Sequence, residues 1–383
     1  MTDACESPFE ELSLDRLRRR TSAKWRWYAP DVLPLWVAEM DTPLAPSVAR
    51  ALRDAVDLGD TGYALDGDFP SAFAGFARRR YDWDVPQTAP RLTADVMTGL
   101  AAALEAVTDP GDAVVISTPI YPPFYTCLER LKLRAVSSPL RHTPDGFGLD
   151  LNRLERDFAS GARAYLMCNP HNPCGLALTR EELEAVAALA DRHDVTVVSD
   201  EIHAPLTVPG RAHIPFASLD SPSAARSFTA VAASKAWNLP GLKAALLVPG
   251  AEADVSALPD DMWVGAGLFG VLAGQAAFSE GEEWLDSVRD GIDERRKLLA
   301  ELLAAQLPRV RYTPPQATYL AWLDFRDCGL DGDPAEVLCE RGRVALYSGP
   351  RFGPEGTGFA RLNLATSRDV IAEAVRRMAK VIG

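Results

Sequence analysis

The sequence predicts an α/β fold, with a mostly parallel sheet in a large domain and a smaller α+β domain after it. Short apolar runs alternate with amphipathic helical stretches between about residues 110 and 250, the order that builds a parallel sheet covered on both faces. The runs are rich in Val, Ile, Leu and Ala and are apolar throughout rather than at every second residue, as strands buried on both faces are. After about residue 280 the alternation gives way to a mixture of helices and strands.

Taken in order, the first forty residues, with Pro30, Pro34, Pro43 and Pro46, read as an extended arm, because proline removes a backbone donor. A helix is expected over 98–107. Buried strands are expected at 113–117, 163–168, 195–199, 228–232 and 244–248. Between two of them a helix over 179–193 opens on Thr179, with Glu182 three residues later, which is a capping box. A long helix over 281–306 leads into 317–324, a helix near 334–341, a strand near 358–364 and a final helix from Arg368. The expected division is an arm of residues 1–42 belonging to the small domain, a large domain of 43–284 and a C-terminal small domain of 285–383.

The chain has 383 residues, and 40 basic against 53 acidic residues leave a net charge of −13 without a basic stripe. Nucleic acid is therefore not expected as a partner. The polar, acidic start and the lack of a long apolar stretch predict no secretory signal, no membrane and a cytoplasmic location. Cys5, Cys127, Cys168, Cys174, Cys328 and Cys339 are scattered without a Cys-x-x-Cys pair, and the five histidines show no ligand spacing. Free thiols and no metal are expected.

The chemistry is concentrated in three consecutive segments: Asn169-Pro-His-Asn-Pro-Cys-Gly175, Ser199-Asp-Glu-Ile-His203 and Ser234-Lys235. A pyridoxal phosphate enzyme needs a lysine amine to hold the aldehyde, a carboxylate to keep the ring nitrogen protonated, and donors near the ring hydroxyl. Lys235, Asp200, and Asn172 with His203 are candidates in that order. Asp200 ends a predicted strand, where open α/β sheets bind ligands. Singly, these residues also read as a surface lysine, a turn aspartate and an ordinary buried histidine; the ordered set points to the cofactor.

Together with Lys24-Trp25, Leu35-Trp-Val-Ala-Glu-Met-Asp41, Gly62-Tyr63, Ala317-Thr-Tyr-Leu-Ala-Trp-Leu-Asp324 and Arg361-Leu-Asn363, these segments resemble fold-type I pyridoxal phosphate enzymes of the class I/II aminotransferase superfamily. The likeness is greatest to their cystathionine β-lyase, or cysteine-S-conjugate β-lyase, branch. The resemblance implies that Lys235 is the Schiff-base lysine and then the base at Cα, and that Tyr121 stacks on the pyridine ring. The phosphate would lie at the start of the helix at Thr98-Gly99, on the amides of Leu100 and Ala101, with Ser234 and Lys243 adding a hydroxyl and a charge. Tyr63 would reach the neighbouring subunit's phosphate across a twofold homodimer. Arg361 suits the substrate α-carboxylate, completed by the backbone of Trp36, Val37 and Ala38.

The implied reaction is β-elimination from L-cystathionine or another S-substituted L-cysteine, giving a thiol, pyruvate and ammonia. An aminotransferase on the same site, or a cofactor-binding regulatory protein with little turnover, stay open. Three positions depart from the branch. Ala232 stands where a hydroxyl residue is common, Thr42 where an aromatic one is, and Arg351 where a small one is. By resemblance Thr42 and Arg351 lie near the substrate entrance; Arg351 there either favours an acidic or bulky S-substituent or pairs with a surface carboxylate.

Overall fold

The computed structural model describes residues 7–87, 89–143 and 146–383; Cys5 lies outside them. Seven strands form the main sheet: β1 (Arg91–Thr93), β2 (Ala113–Thr118), β3 (Arg134–Pro139), β4 (Ala162–Cys168), β5 (Thr196–Asp200), β6 (Phe228–Val231) and β7 (Ala245–Pro249). Their order is β1-β7-β6-β5-β4-β2-β3. The run from β3 to β6 is parallel, while β7 is antiparallel to both β6 and β1. The segment between β6 and β7, residues 232–244, forms no helix. Without the helical crossover that a parallel neighbour usually takes, β7 returns antiparallel.

Successive residues of the inner strands face opposite apolar layers, as the strand period of two demands. Val114, Ile116, Ala164 and Leu166 pack with Leu100, Leu104 and Phe124. Val115, Tyr165, Met167 and Val197 pack with Phe158, Leu183 and Val186 of the other layer. The five expected strands and the helix Arg180–His193, with its Thr179–Glu182 capping box, are present. The edge strands β1 and β3 went unread because β1 has three residues and β3 is largely open to water, so neither shows a continuous apolar run.

Helices Pro46–Leu58, Phe69–Tyr81 and Leu268–Glu280 also lay outside the sequence reading. Leu268–Glu280 is apolar on nearly every side, which erases the 3.6-residue period. Its Phe278 ring lies 5.1 Å from Phe76 and 5.3 Å from Trp237.

A second sheet, in the order β8-β9-β11-β10, is antiparallel: β8 (Arg311–Tyr312), β9 (Leu320–Asp324), β10 (Tyr347–Ser348) and β11 (Phe359–Asn363). Leu285, Leu299 and Leu303 of helix Glu282–Gln306 and Val375 of helix Arg368–Ile382 share a core with Leu320 and Leu362 of this sheet. The arm is not simply extended. It forms short helices at Leu14–Leu17 and Ala23–Arg26, the first capped by Ser13 Oγ accepting from the Arg16 amide at 3.3 Å. Its Leu33–Pro34 then pairs in parallel with Val344–Ala345. Among the described residues, no helix is long and apolar enough to cross a membrane.

The loop after β4 turns on Gly175, whose φ is +65°; a Cβ there would meet Pro315 and lie 2.9 Å from the Ala317 carbonyl oxygen. Gly175→Ala combines a left-handed backbone with a steric clash. It is expected to lower the unfolding free energy by about 2–3 kcal/mol, read as a shifted urea midpoint at constant slope.

Candidate functional site

Three segments at the carboxyl edge of the main sheet enclose a cavity of about 250 Å³ lined by Ala38, Tyr121, Asn172, Asp200, His203, Ser234, Lys235 and Lys243. Asp200 is the last residue of β5. It is buried, and its Oδ1 accepts from the Ile202 amide at 3.1 Å. Burial drives its pKa up to about 7, against the opposing pull of the Ile202 hydrogen bond and the Lys235 charge. Burial, and after it the Arg361 charge, lowers Lys235 to about 8. His203 is buried with its Nδ1 unpartnered, and burial, then Lys235 and Arg361, hold it well below the usual histidine range. It is therefore neutral near pH 7.

Arg361, on β11, is buried against the rings of Tyr347 and Phe352, at 4.9 and 5.1 Å. It donates through Nη1 to Asn172 Oδ1 at 2.8 Å and through Nη2 to the Trp36 carbonyl at 3.1 Å. Its Nε is buried without a partner. Burial lowers its pKa to about 10, so it stays a cation at neutral pH.

The strip 36–42 reaches this cavity at Ala38 and is held by its carbonyls. Lys235 Nζ and Tyr319 Oη donate to the Ala38 carbonyl at 3.1 and 3.2 Å. Asn363 Nδ2 donates to the Val37 and Glu39 carbonyls at 2.8 and 2.7 Å. Asn238 Nδ2 and Arg20 Nη1 donate to the Met40 carbonyl at 2.8 and 3.1 Å. Lys24 Nζ donates to the Glu39 carbonyl at 3.0 Å and pairs with Asp41 at 2.8 Å, both side chains buried.

Sequence reasoning misplaced the helix start. The helix is Val96–Val107, and Asp95 is its N-cap, accepting from the Thr98 amide at 2.9 Å. Gly99 donates to the Asp95 carbonyl at 3.1 Å, and Leu100 and Ala101 lie deeper in the helix and are buried. Gly99, Leu100 and Ala101 therefore do not line the cavity; Val96 and Met97 do, beside Asp95, and they occupy the first turn, where amides lack intrahelical acceptors. The signal was readable, because aspartate before an apolar run is an N-cap pattern; Gly99 drew the expected start too far along. Lys243 pairs with Asp95 at 2.9 Å. Tyr63 is 96% exposed, on the loop between two helices and away from the cavity of its own chain. Val37 contributes its carbonyl to the strip rather than lining the cavity.

Ala232 is buried in the core. Thr42 is also buried, its carbonyl accepting from Arg20 Nη2 at 2.6 Å and its hydroxyl unpartnered. Arg351 is exposed and forms no ion pair or hydrogen bond among the described residues.

A phosphorylated pyridine aldehyde presents a ring nitrogen, a phenolic oxygen, an aldehyde and a phosphate. The Asp200 carboxylate, the unpartnered His203 Nδ1, the low-basicity amine of Lys235 and the helix start at Val96 and Met97 match those four groups. The raised Asp200 pKa means that the fold favours the protonated acid. This contribution is fully present below pH 3.8 and is lost as pH rises from there to about 7. In cofactor-free protein, Asp200→Asn is expected to be more stable than wild type at pH 8, by about 2–4 kcal/mol, with the advantage shrinking towards pH 4. Melting temperatures of the two proteins across that range check this.

The family model for aminotransferase class I and II matches residues 30–378. A Mycobacterium tuberculosis protein provisionally named cystathionine beta-lyase is 44% identical over 403 residues, covering 98% of each chain. The cystathionine beta-lyase of Corynebacterium glutamicum is 37% identical over 375 residues, covering 96% of this chain and 99% of its own. The structure of cystalysin from Treponema denticola, which contains a pyridoxal 5'-phosphate cofactor, superposes with a TM-score of 0.89 at 26% identity, covering 98% of both chains.

Proposed function

Since the chain belongs to the class I and II aminotransferase family, we propose that it is a pyridoxal phosphate-dependent carbon–sulfur β-lyase acting on L-cystathionine or another S-substituted L-cysteine. One observation carries the assignment of the substrate's position: Arg361 and Lys235 donate to the carbonyls of Trp36 and Ala38, two residues apart on one strip. A cation for the α-carboxylate and an amine for the Cα proton are thereby held in fixed relation, the geometry that converts binding into orientation.

When bound, the cofactor supplies an electron sink for the pair released at Cα. The chain supplies the rest. Lys235 Nζ, lowered to about 8, has a neutral fraction near pH 7 and can take the Cα proton. Asp200 stabilises a protonated ring nitrogen, whose positive charge brings back the ionised state that burial disfavours. His203 and Asn172 would hold the phenolic oxygen, Tyr121 would cover the ring, and Ser234, Lys243 and the amides of Val96 and Met97 would hold the phosphate, all of them lining the one cavity. Arg361 has a spare buried Nε donor for the carboxylate. The net reaction consumes one water: the Cβ–S bond breaks, sulfur leaves as the thiol, and the remaining three carbons leave as pyruvate with ammonia.

We further propose a twofold homodimer in which Tyr63 completes the partner's phosphate site. Leu58 at 81% and Leu65 at 74% exposure flank Tyr63, and such a concentration of exposed apolar side chains suits a covered surface. Residues 1–42 with 285–383, which carry Arg361, are proposed to close as a small domain on the large domain of 43–284. A cytoplasmic location is proposed on the five free thiols described.

Incubation with L-cystathionine, without an oxo-acid acceptor, is expected to give pyruvate and homocysteine in equal amounts over many turnovers. Lys235→Ala is expected to abolish both. Arg361→Ala is expected to lower kcat/KM by about 100-fold or more. Conversion of the cofactor to its amine form without pyruvate would replace the lyase reading with a transaminase, and loaded protein that changes neither substrate nor cofactor would point to a regulatory role.

A further inference from the structure

In Ser199-Asp-Glu-Ile-His203 one side chain turns away from the Lys235 cavity. Asp200, Ile202 and His203 line it, and Glu201 between them does not. Glu201 lies two residues after Ser199, at the end of β5, and the strand period of two puts both on the face opposite Asp200. There the buried carboxylate accepts three hydrogen bonds: from Ser199 Oγ and the Phe216 amide, each at 3.0 Å, and from His213 Nε2 at 2.7 Å. Because carboxylate oxygens only accept, His213 carries a proton on Nε2. His213 is buried as well, with the Tyr81 ring edge-on to it at 5.3 Å.

The backbone of Glu201 is held too. Its amide donates to the Ala230 carbonyl on β6 at 3.0 Å, and its carbonyl accepts from the Ala204 amide at 2.9 Å. None of these five partners lines the cavity. No step of the proposed reaction uses the Glu201 carboxylate, and burying a carboxylate is costly unless donors surround it. What the arrangement does is local. Asp200 immediately precedes Glu201, and His203 follows two residues later, beyond the end of the strand. A residue anchored by side chain and backbone between them fixes the direction of both.

We infer that Glu201, held by His213, is the positioning residue for the cofactor ring, setting the Asp200 carboxylate and the His203 imidazole at the separation that the ring nitrogen and the phenolic oxygen demand. The inference rests on the roles proposed above for Asp200 and His203 and is independent of the substrate. Support of this kind behind ligand-contacting groups limits their sway, and small displacements of such groups are costly.

The test reads cofactor binding without substrate. Pyridoxal phosphate is titrated into cofactor-free protein at one pH, and two quantities are compared: Kd, and the absorbance of the bound cofactor, which reports the ionisation of its phenolic oxygen. Glu201→Gln keeps the shape and removes the charge; His213→Leu removes one donor. Each is expected to raise Kd about tenfold and to move the absorbance towards the protonated phenol. His213→Gln, which keeps a donor near the position of Nε2, is expected to recover most of the difference between His213→Leu and wild type. Asp200→Asn and His203→Gln serve as controls. If both controls match wild type, the reading of the cofactor site fails and the inference falls with it. If they differ from wild type while Glu201→Gln and His213→Leu do not, or if those two lose only melting temperature, the inference alone is overturned; His213→Gln no better than His213→Leu overturns it as well. Should Glu201→Gln or His213→Leu not fold, Ser199→Ala, which removes one donor and leaves the pair with His213 intact, decides by the same two readouts.

Discussion

The site depends on a buried ion pair whose two residues do not themselves line the cavity. Lys24 and Asp41 meet at 2.8 Å with both side chains out of water. Removing two charges from water is expensive unless the remaining donors and acceptors are satisfied. Lys24 also donates to the Glu39 carbonyl, and Asp41 accepts from Trp25 Nε1 at 3.3 Å. The pair therefore fixes one end of the 36–42 strip, and the donors from Asn238, Asn363, Tyr319 and Arg361 fix the rest. A strip without regular secondary structure acquires the rigidity of an element because its exposed carbonyls are answered by side chains.

That rigidity gives the electrostatics their direction. Around one small cavity, burial disfavours the charged forms of Asp200, Lys235 and His203 together. Such a cluster is poorly matched to itself and well matched to a ligand that brings a cationic ring nitrogen, an aldehyde and an anion. At the anion end, Asp95 holds Lys243 while capping the helix whose first turn faces the cavity. The local charge balance there is closer to neutral than a lysine at a helix start implies.

Much of this was legible in the residues. The inner strands are continuous apolar runs and were placed to within a residue. Asp200, Asn172 and Lys235 follow three such strands at the sheet's carboxyl edge, so the pattern that located the strands also located the chemistry. The Lys24-Trp25 and Met40-Asp41 landmarks were visible as words, but their contact spans sixteen or seventeen positions and has no periodic signature. The same holds for Asn238 and Asn363, whose partners lie about 200 and 325 positions away. Leu268–Glu280 was hidden for the opposite reason: an all-apolar helix has no contrast between faces. The Asp95 cap was readable in the sequence, where aspartate precedes the apolar run, although the helix was expected to begin three residues later.

The strip also sets an order on biosynthesis. Chains emerge from the ribosome amino terminus first, and domains fold as their contacts become available. Residues 36–42 are among the first to appear, yet their donors sit at 235, 238, 319, 361 and 363. Arg20 and Lys24 can answer the Met40 and Glu39 carbonyls from within the arm, but the Trp36 and Val37 carbonyls wait for Arg361 and Asn363, in the last tenth of the polypeptide. A ribosome that stops short of β11 therefore releases a chain whose main sheet can be complete while the strip lacks the donors of Arg361 and Asn363.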